Sequence, residues 1–216
     1  MRTLDPADFT SLWDACTRCF YLAVARGFPR PRSDAAASSP MMDRIAAGLA
    51  GRRTDTLAAG MPAGVLETGP RKVQSAPIDV QVPEGILRCV IQGTLDFVVR
   101  GDDGAYTVVV LEVAEQQHAE ATASTRRLHA YAHALERDET VAGLGVLGVE
   151  AGGAGVVPGA LTLTGQLSWR PIAGDDSSFF GFLAEALTLL ERPTPPPGTA
   201  LCPWCVYRDA SRRTGL

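Results

Sequence analysis

Apolar residues recur at helical spacing in four stretches of the chain, and at strand spacing or as short unbroken runs in five others. Phe9, Trp13, Cys16, Phe20 and Val24 fall on one stripe, three or four residues apart, which predicts a helix over 9–26 with one buried face. Asp5-Pro6 supplies a start, with an acid as cap and proline at the first helical position, and Gly27 followed by Pro29 and Pro31 supplies a stop. Met42, Ile45 and Leu49 predict a short helix over 41–50. Leu128, Tyr131, Ala132 and Leu135 predict one over 125–137. Phe180, Leu183, Leu187 and Leu190 predict a helix over 177–191, capped by Asp175 or Asp176.

The strand pattern centres on 86–114. Two apolar runs there are joined by a tight turn at 101–104 with the Asp-Gly chemistry of a hairpin. A short strand is expected within 73–82, and a buried one over 141–149. The latter follows strand and then helix, so it should lie parallel to the second hairpin strand through a right-handed crossover. An edge strand is expected over 160–171. Segments 32–40, 51–72, 115–123 and 150–159 carry no period and read as loops, rich in polar residues, Gly or Pro. The prolines of 193–198 make a stiff connector leading to a final basic tail over 208–213. No internal repeat is present. The chain is long enough for one substantial core, and this order of elements predicts a three-layer α/β domain.

Each strand of the central hairpin holds one carboxylate in an apolar setting, Asp96 in the first and Glu112 in the second. A desolvated carboxylate is expensive, so strands that bury a face rarely hold one without a partner. If the strands pair, the acids can converge into a hard oxygen site suited to Mg²⁺ or Mn²⁺. The alternative is two solvated residues at strand ends.

Cysteine adds a second centre. Cys16 and Cys19 lie near one end of the chain and Cys202 and Cys205 near the other, as two Cys-x-x-Cys pairs. Such pairs in a cytosolic chain point to metal or redox chemistry more than to structural disulfides. Cys89, inside a strand, reads as a small core residue. The net charge of −4 excludes a global positive field for nucleic acid, so such binding would need a local arginine cluster. Lysine occurs once, at Lys72. No apolar run reaches the length of a membrane span, and 1–10 lacks the features of a signal peptide. A cytoplasmic protein without membrane attachment is therefore expected.

GTLDFVV around Asp96, VVVLEVA around Glu112, RRLHAYAHAL in the next helix, CTRCFYL near the start and CPWCVYR near the end occur in that order. Together they resemble the PD-(D/E)XK nuclease superfamily, and within it the RecB-like branch that includes CRISPR-associated nucleases. The resemblance spans 12–208. It implies a single nuclease-like domain with a core over about 73–191, a mixed sheet flanked by helices. A clasp from 9–27 and 198–208 would join the terminal segments. It implies hydrolysis of DNA phosphodiester bonds by a divalent ion, Mg²⁺ or Mn²⁺, on Asp96 and Glu112. Arg127 and Tyr131 fall at the positions of the helix motif. Cys16, Cys19, Cys202 and Cys205 would hold a [4Fe–4S] cluster or Zn²⁺.

Four departures accompany the resemblance. The lysine two residues after the second acid is Ala114 here, and Arg127 stands where relatives often carry Gln. No histidine precedes His118, and the last cysteine position of the family falls at Ser211, with Cys19 available in its place. Arg126 and Arg127 either stand in for the missing charge or form the solvated face of their helix. Glu115, Gln116 and Gln117 read as loop residues within reach of the site. His129 and His133, four apart, have zinc spacing but read as polar-face residues. Trp13, Phe20, Tyr21, Trp204 and Tyr207 are expected to pack around the clasp rather than stack on bases. The alternative to an active nuclease is an inactive descendant that binds nucleic acid or a protein partner.

Overall fold

The structure, a computed structural model, describes residues 1–28, 40–114 and 121–214. The described strands form one mixed seven-stranded sheet, flanked by helices on both faces. Its spine is β4 (Gly85–Gly101). The first half of β4 lies between antiparallel β3 (Ile78–Val82) and parallel β1 (Arg2–Leu4), the second between antiparallel β2 (Gly64–Gln74) and β5 (Tyr106–Ala114). From β5 the sheet continues to β6 (Val141–Val157), which runs parallel to it as expected, and then to antiparallel β7 (Ala160–Ile172) at the edge.

Two cores hold the layers together. On one face α4 (Ala121–Leu135) presents Leu128, Tyr131 and Leu135, and α5 (Asp176–Leu190) presents Phe179, Phe182, Leu183 and Leu187, against Ile91, Val98, Val108 and Val110. On the other face α3 (Pro40–Leu49) packs through Leu49 and Ile45 over a smaller cluster of Leu66, Val99, Val109 and Leu147. Each such side chain, fully buried, contributes about 1.5–3 kcal/mol over its exposed state.

The alternation along β4 slips once. Cys89, Ile91 and Leu95 face the main core at odd positions, whereas Val98 faces it at an even one and Phe97 and Val99 face the smaller core. The slip falls at Asp96, opposite the irregularity where Thr68 of β2 pairs with Phe97 but Arg71 pairs with Leu95. A period-2 strand cannot change face without such a bulge, and bulges re-aim side chains next to functional sites.

The helix expected over 9–26 is broken into α1 (Pro6–Asp8), a π-helical turn (Phe9–Asp14) and α2 (Thr17–Arg26). Asp5 caps the start, accepting from the Ala7 N–H at 2.8 Å. Gly27 closes α2 in the left-handed conformation, φ 65°. Two predicted loops are corrected. Segment 51–72 contains a 3₁₀ turn (Thr54–Thr56) and most of β2, while 150–159 continues β6 to Val157 before turning into β7. The basic tail is helical, as part of α6 (Pro203–Thr214). Within α5 the deepest aromatics are Phe179 and Phe182, and Phe180 is only half-buried. No helix among the described residues is long and apolar enough to cross a membrane.

Candidate functional site

The two cysteine pairs occupy matching places on two helices. Cys16 is the N-cap of α2, in extended backbone at φ −173°, and Cys19 follows one turn on. Cys202 immediately precedes α6, and Cys205 again follows one turn on. The first helix breaks directly before the Cys16 and Cys19 pair, between the π-helical turn and α2. The four sulfurs lie within 4.8 Å of one another, with Cys16–Cys205 and Cys19–Cys202 each at 3.6 Å and Cys19–Cys205 at 3.9 Å. All four are buried. Burial raises the Cys16 thiol, but the N–H groups of Cys19 and Thr199 outweigh it and bring its pKa down to about 7. Burial first, then neighbouring thiols, push Cys19 up, and burial raises Cys205 to about 11. Four converging thiols with helix N-termini behind them can hold a metal.

Surrounding contacts fix this geometry. Arg18 of α2 reaches Asp209 of α6 with both terminal guanidinium nitrogens, at 3.2 and 3.4 Å. Tyr21 donates to the Arg192 carbonyl at 2.7 Å, and Arg26 to the Pro193 carbonyl at 2.8 Å, pinning the connector to α2. Gly198 passes so close that a Cβ there would sit 2.8 Å from Cys205 Cβ and 2.9 Å from its sulfur. Trp13 and Phe20 meet edge to face at 5.2 Å, as the packing expectation requires. Tyr207 does not follow it, being 70% exposed on the outer side of α6. Cys89 is buried in the main core, and its thiol is raised to about 11 by that burial.

The second candidate site lies where β4 and β5 separate. Their ladder ends at Phe97–Val109, so Asp96 lies one residue, and Glu112 three residues, past the last pair. Asp96 is exposed at a hollow of about 280 Å³ between β2 and β4. Protein atoms crowd it enough that desolvation raises its carboxyl pKa, opposed by the nearby Arg127 guanidinium. Glu112 accepts a hydrogen bond from the Ser124 hydroxyl. It also faces Arg170 of β7, whose Nη2 is 3.6 Å from Oε2.

Helix α4 supplies Ser124 beside Glu112 and Arg127, whose charge acts on Asp96. Arg127 stacks on the Tyr131 ring at 5.5 Å, and its Nε is buried without a hydrogen bond to any described residue. Tyr131 is buried and donates to the Thr94 carbonyl at 2.7 Å, anchoring α4 two residues before Asp96. Arg126 binds Asp14 at 2.7 Å and covers the Phe182 ring. A freely solvated arginine face is therefore corrected for both residues. The polar-face reading of His129 is corrected too. It is buried, and its Nε2 accepts from the Asp175 N–H at 3.2 Å, while its ring stacks on Phe179. His133 stacks on the same ring and faces Asp176 at 3.4 Å. Ala114 ends β5 and pairs with Glu150. Glu115, Gln116, Gln117 and His118 lie outside the described residues.

Ser124 and Arg170 were not legible as site residues. Neither belongs to a local motif, and only the tertiary placement of α4 and β7 brings them to Glu112. No family model and no curated relative matches the chain. Among solved structures, the crystal structure of SSO0001 aligns over 96% of this chain and 84% of that one, with 14% identity and a TM-score of 0.43.

Proposed function

We propose that the chain is a nuclease-family protein of the PD-(D/E)XK type, RecB-like, whose divalent-metal site at Asp96 and Glu112 serves hydrolysis of DNA phosphodiester bonds. One observation carries this reading: a single turn of α4 supplies both Ser124, whose hydroxyl donates to Glu112, and Arg127, whose charge opposes the rise in the Asp96 carboxyl pKa. Positions three apart share a helix face, so one face of α4 addresses both acids. A Mg²⁺ or Mn²⁺ ion held by Asp96 and Glu112 would polarise a phosphate and acidify a water. Ser124 orients Glu112, Tyr131 fixes α4 to β4, and Arg127 offsets charge beside Asp96.

For the cysteine centre we propose Zn²⁺. Tetrahedral zinc with Zn–S near 2.3 Å places ligand sulfurs about 3.8 Å apart, close to the 3.6, 3.6 and 3.9 Å separations here. A [4Fe–4S] cluster, the alternative, carries its own core between the thiolates and needs them spread wider. Cys16, Cys19, Cys202 and Cys205 would hold the metal, which would tie α6 to α2 and supply no chemistry to hydrolysis. Colourless protein with one zinc per chain is expected; brown protein with stoichiometric iron would replace this assignment.

The test of function is cleavage of single- and double-stranded DNA by the purified chain in Mg²⁺ or Mn²⁺. Cleavage by the wild type that disappears in Asp96→Ala is expected. A metal-replete wild type that cuts neither substrate would sink the enzymatic reading. It would favour the second one, a binding module, which has its own motivation: Arg127 and Arg170 each balance one acid without any metal.

A further inference from the structure

We infer that Arg170 supplies from the sheet edge the phosphate-binding cation that the chain lacks at Ala114. The inference rests on the nuclease reading above. Arg170 belongs to β7, two strands away from Glu112, and is set opposite Val146 of β6. It reaches Glu112 because the strand between them offers no side chain at the crossing point: Glu112 pairs with Gly148, and Gly148 with Ser168. A Cβ at Gly148 would collide with the Ser168 hydroxyl.

The neighbouring residue sets the direction of Arg170. Trp169 lies flat over Gly145 on the opposite face, where any side chain at 145 would overlap its ring, and it packs against the smaller core. Successive side chains of a strand alternate faces, so seating Trp169 there turns Arg170 to the Glu112 side. The 3.6 Å separation from Glu112 exceeds a hydrogen bond, so the guanidinium donors are not committed to the carboxylate. The side chain is 45% exposed on the last strand of the sheet, where a polymer can approach.

A guanidinium stays protonated and presents forked donors that match two phosphate oxygens. In hydrolysis, water oxygen bonds to phosphorus and the phosphorus–oxygen bond to the leaving sugar oxygen breaks. The leaving oxygen ends protonated. Arg170 exchanges neither proton nor electrons in this step. It holds a non-bridging oxygen and offsets the charge that builds on the phosphoryl group.

The experiment compares DNA cleavage in Mn²⁺ and Mn²⁺ affinity for wild type, Arg170→Gln, Arg170→Lys, and Ala114→Lys in the Arg170→Gln background. Melting curves check that each variant folds. Arg170→Gln should cleave about 100-fold more slowly with Mn²⁺ affinity kept or tightened. Arg170→Lys should retain most activity, and Ala114→Lys should restore at least about tenfold of what Arg170→Gln loses, by returning a cation to the site. Wild-type cleavage by Arg170→Gln overturns the inference and leaves the nuclease reading standing. So does loss of Mn²⁺ binding in parallel with cleavage, since Arg170 would then only position Glu112. A wild type that does not cleave overturns the nuclease reading and the inference with it.

Discussion

Asp96 is exposed, but neighbouring protein atoms still crowd its carboxyl. Desolvation raises its carboxyl pKa, with Arg127 only partly compensating. A carboxyl raised in the folded state binds its proton more tightly there than when unfolded. Stability therefore falls as pH rises from the unfolded value, near 3.9, through the folded one, and the loss persists at neutral pH. Asp96→Asn should melt higher than wild type at pH 7, and the difference should close in acid below both values. Equal melting of the two proteins at pH 7 would mean that Asp96 is not held at a cost. Gly198 is a second single-residue test. With Cys205 Cβ 2.8 Å from its would-be Cβ, Gly198→Ala should displace the α6 cysteines and release metal, measurable as zinc per chain. Retention of full zinc content would show that the connector tolerates the shift.

At the scale of elements, α4 does the joining. It touches Glu112 through Ser124, pins β4 through Tyr131 and receives the N-cap of α5 through His129. Burial lowers the His129 pKa, with Asp176 the chief opposing charge; the neighbouring His133 adds to the lowering and Asp175 opposes it. The neutral ring accepts from the Asp175 N–H, a bond that a protonated ring cannot make. Stability from this contact is present above the unfolded histidine value, near 6.5, and is lost as pH falls toward the lower folded value. The melting temperature should drop as pH falls below about 6.5, and His129→Gln should flatten that drop; an unchanged profile would remove the role.

The sequence pattern showed α3, α4 and α5 because each buries one face and leaves its period in the chain, and β5 because it is buried on both faces and reads as an unbroken apolar run. It hid β2 and the outer part of β6. Residues 152–156 of β6 are exposed, so no alternation marks them, and β2 interrupts its own pattern at Gly69 and Pro70. The cysteine spacing was readable because two residues three apart on a helix already share a face. The break at Cys16 was not, since the apolar stripe over 9–26 runs through it without interruption. Arg170 was invisible because only the tertiary placement of β7 brings it to Glu112.

Across the whole molecule, the clasp joins Cys16 to Cys205, 189 positions apart in sequence. Closing so long a loop constrains the unfolded chain strongly. Removing one ligand, in Cys16→Ser or Cys205→Ser, should cost on the order of 3 kcal/mol and lower Tm by roughly 10 °C, with chelation of the wild type giving a similar fall. Unchanged melting would refute a structural clasp. The clasp shares no residue with the proposed Asp96–Glu112 site, so these variants should lose stability before they lose Mn²⁺ binding there. The central question is whether the Asp96 and Glu112 carboxylates share one ion. Titrating Mn²⁺ into zinc-replete protein by electron paramagnetic resonance should give one bound ion per chain in the wild type and none in Asp96→Asn or Glu112→Gln; a wild type that binds no Mn²⁺, or variants that bind it undiminished, would contradict a shared ion.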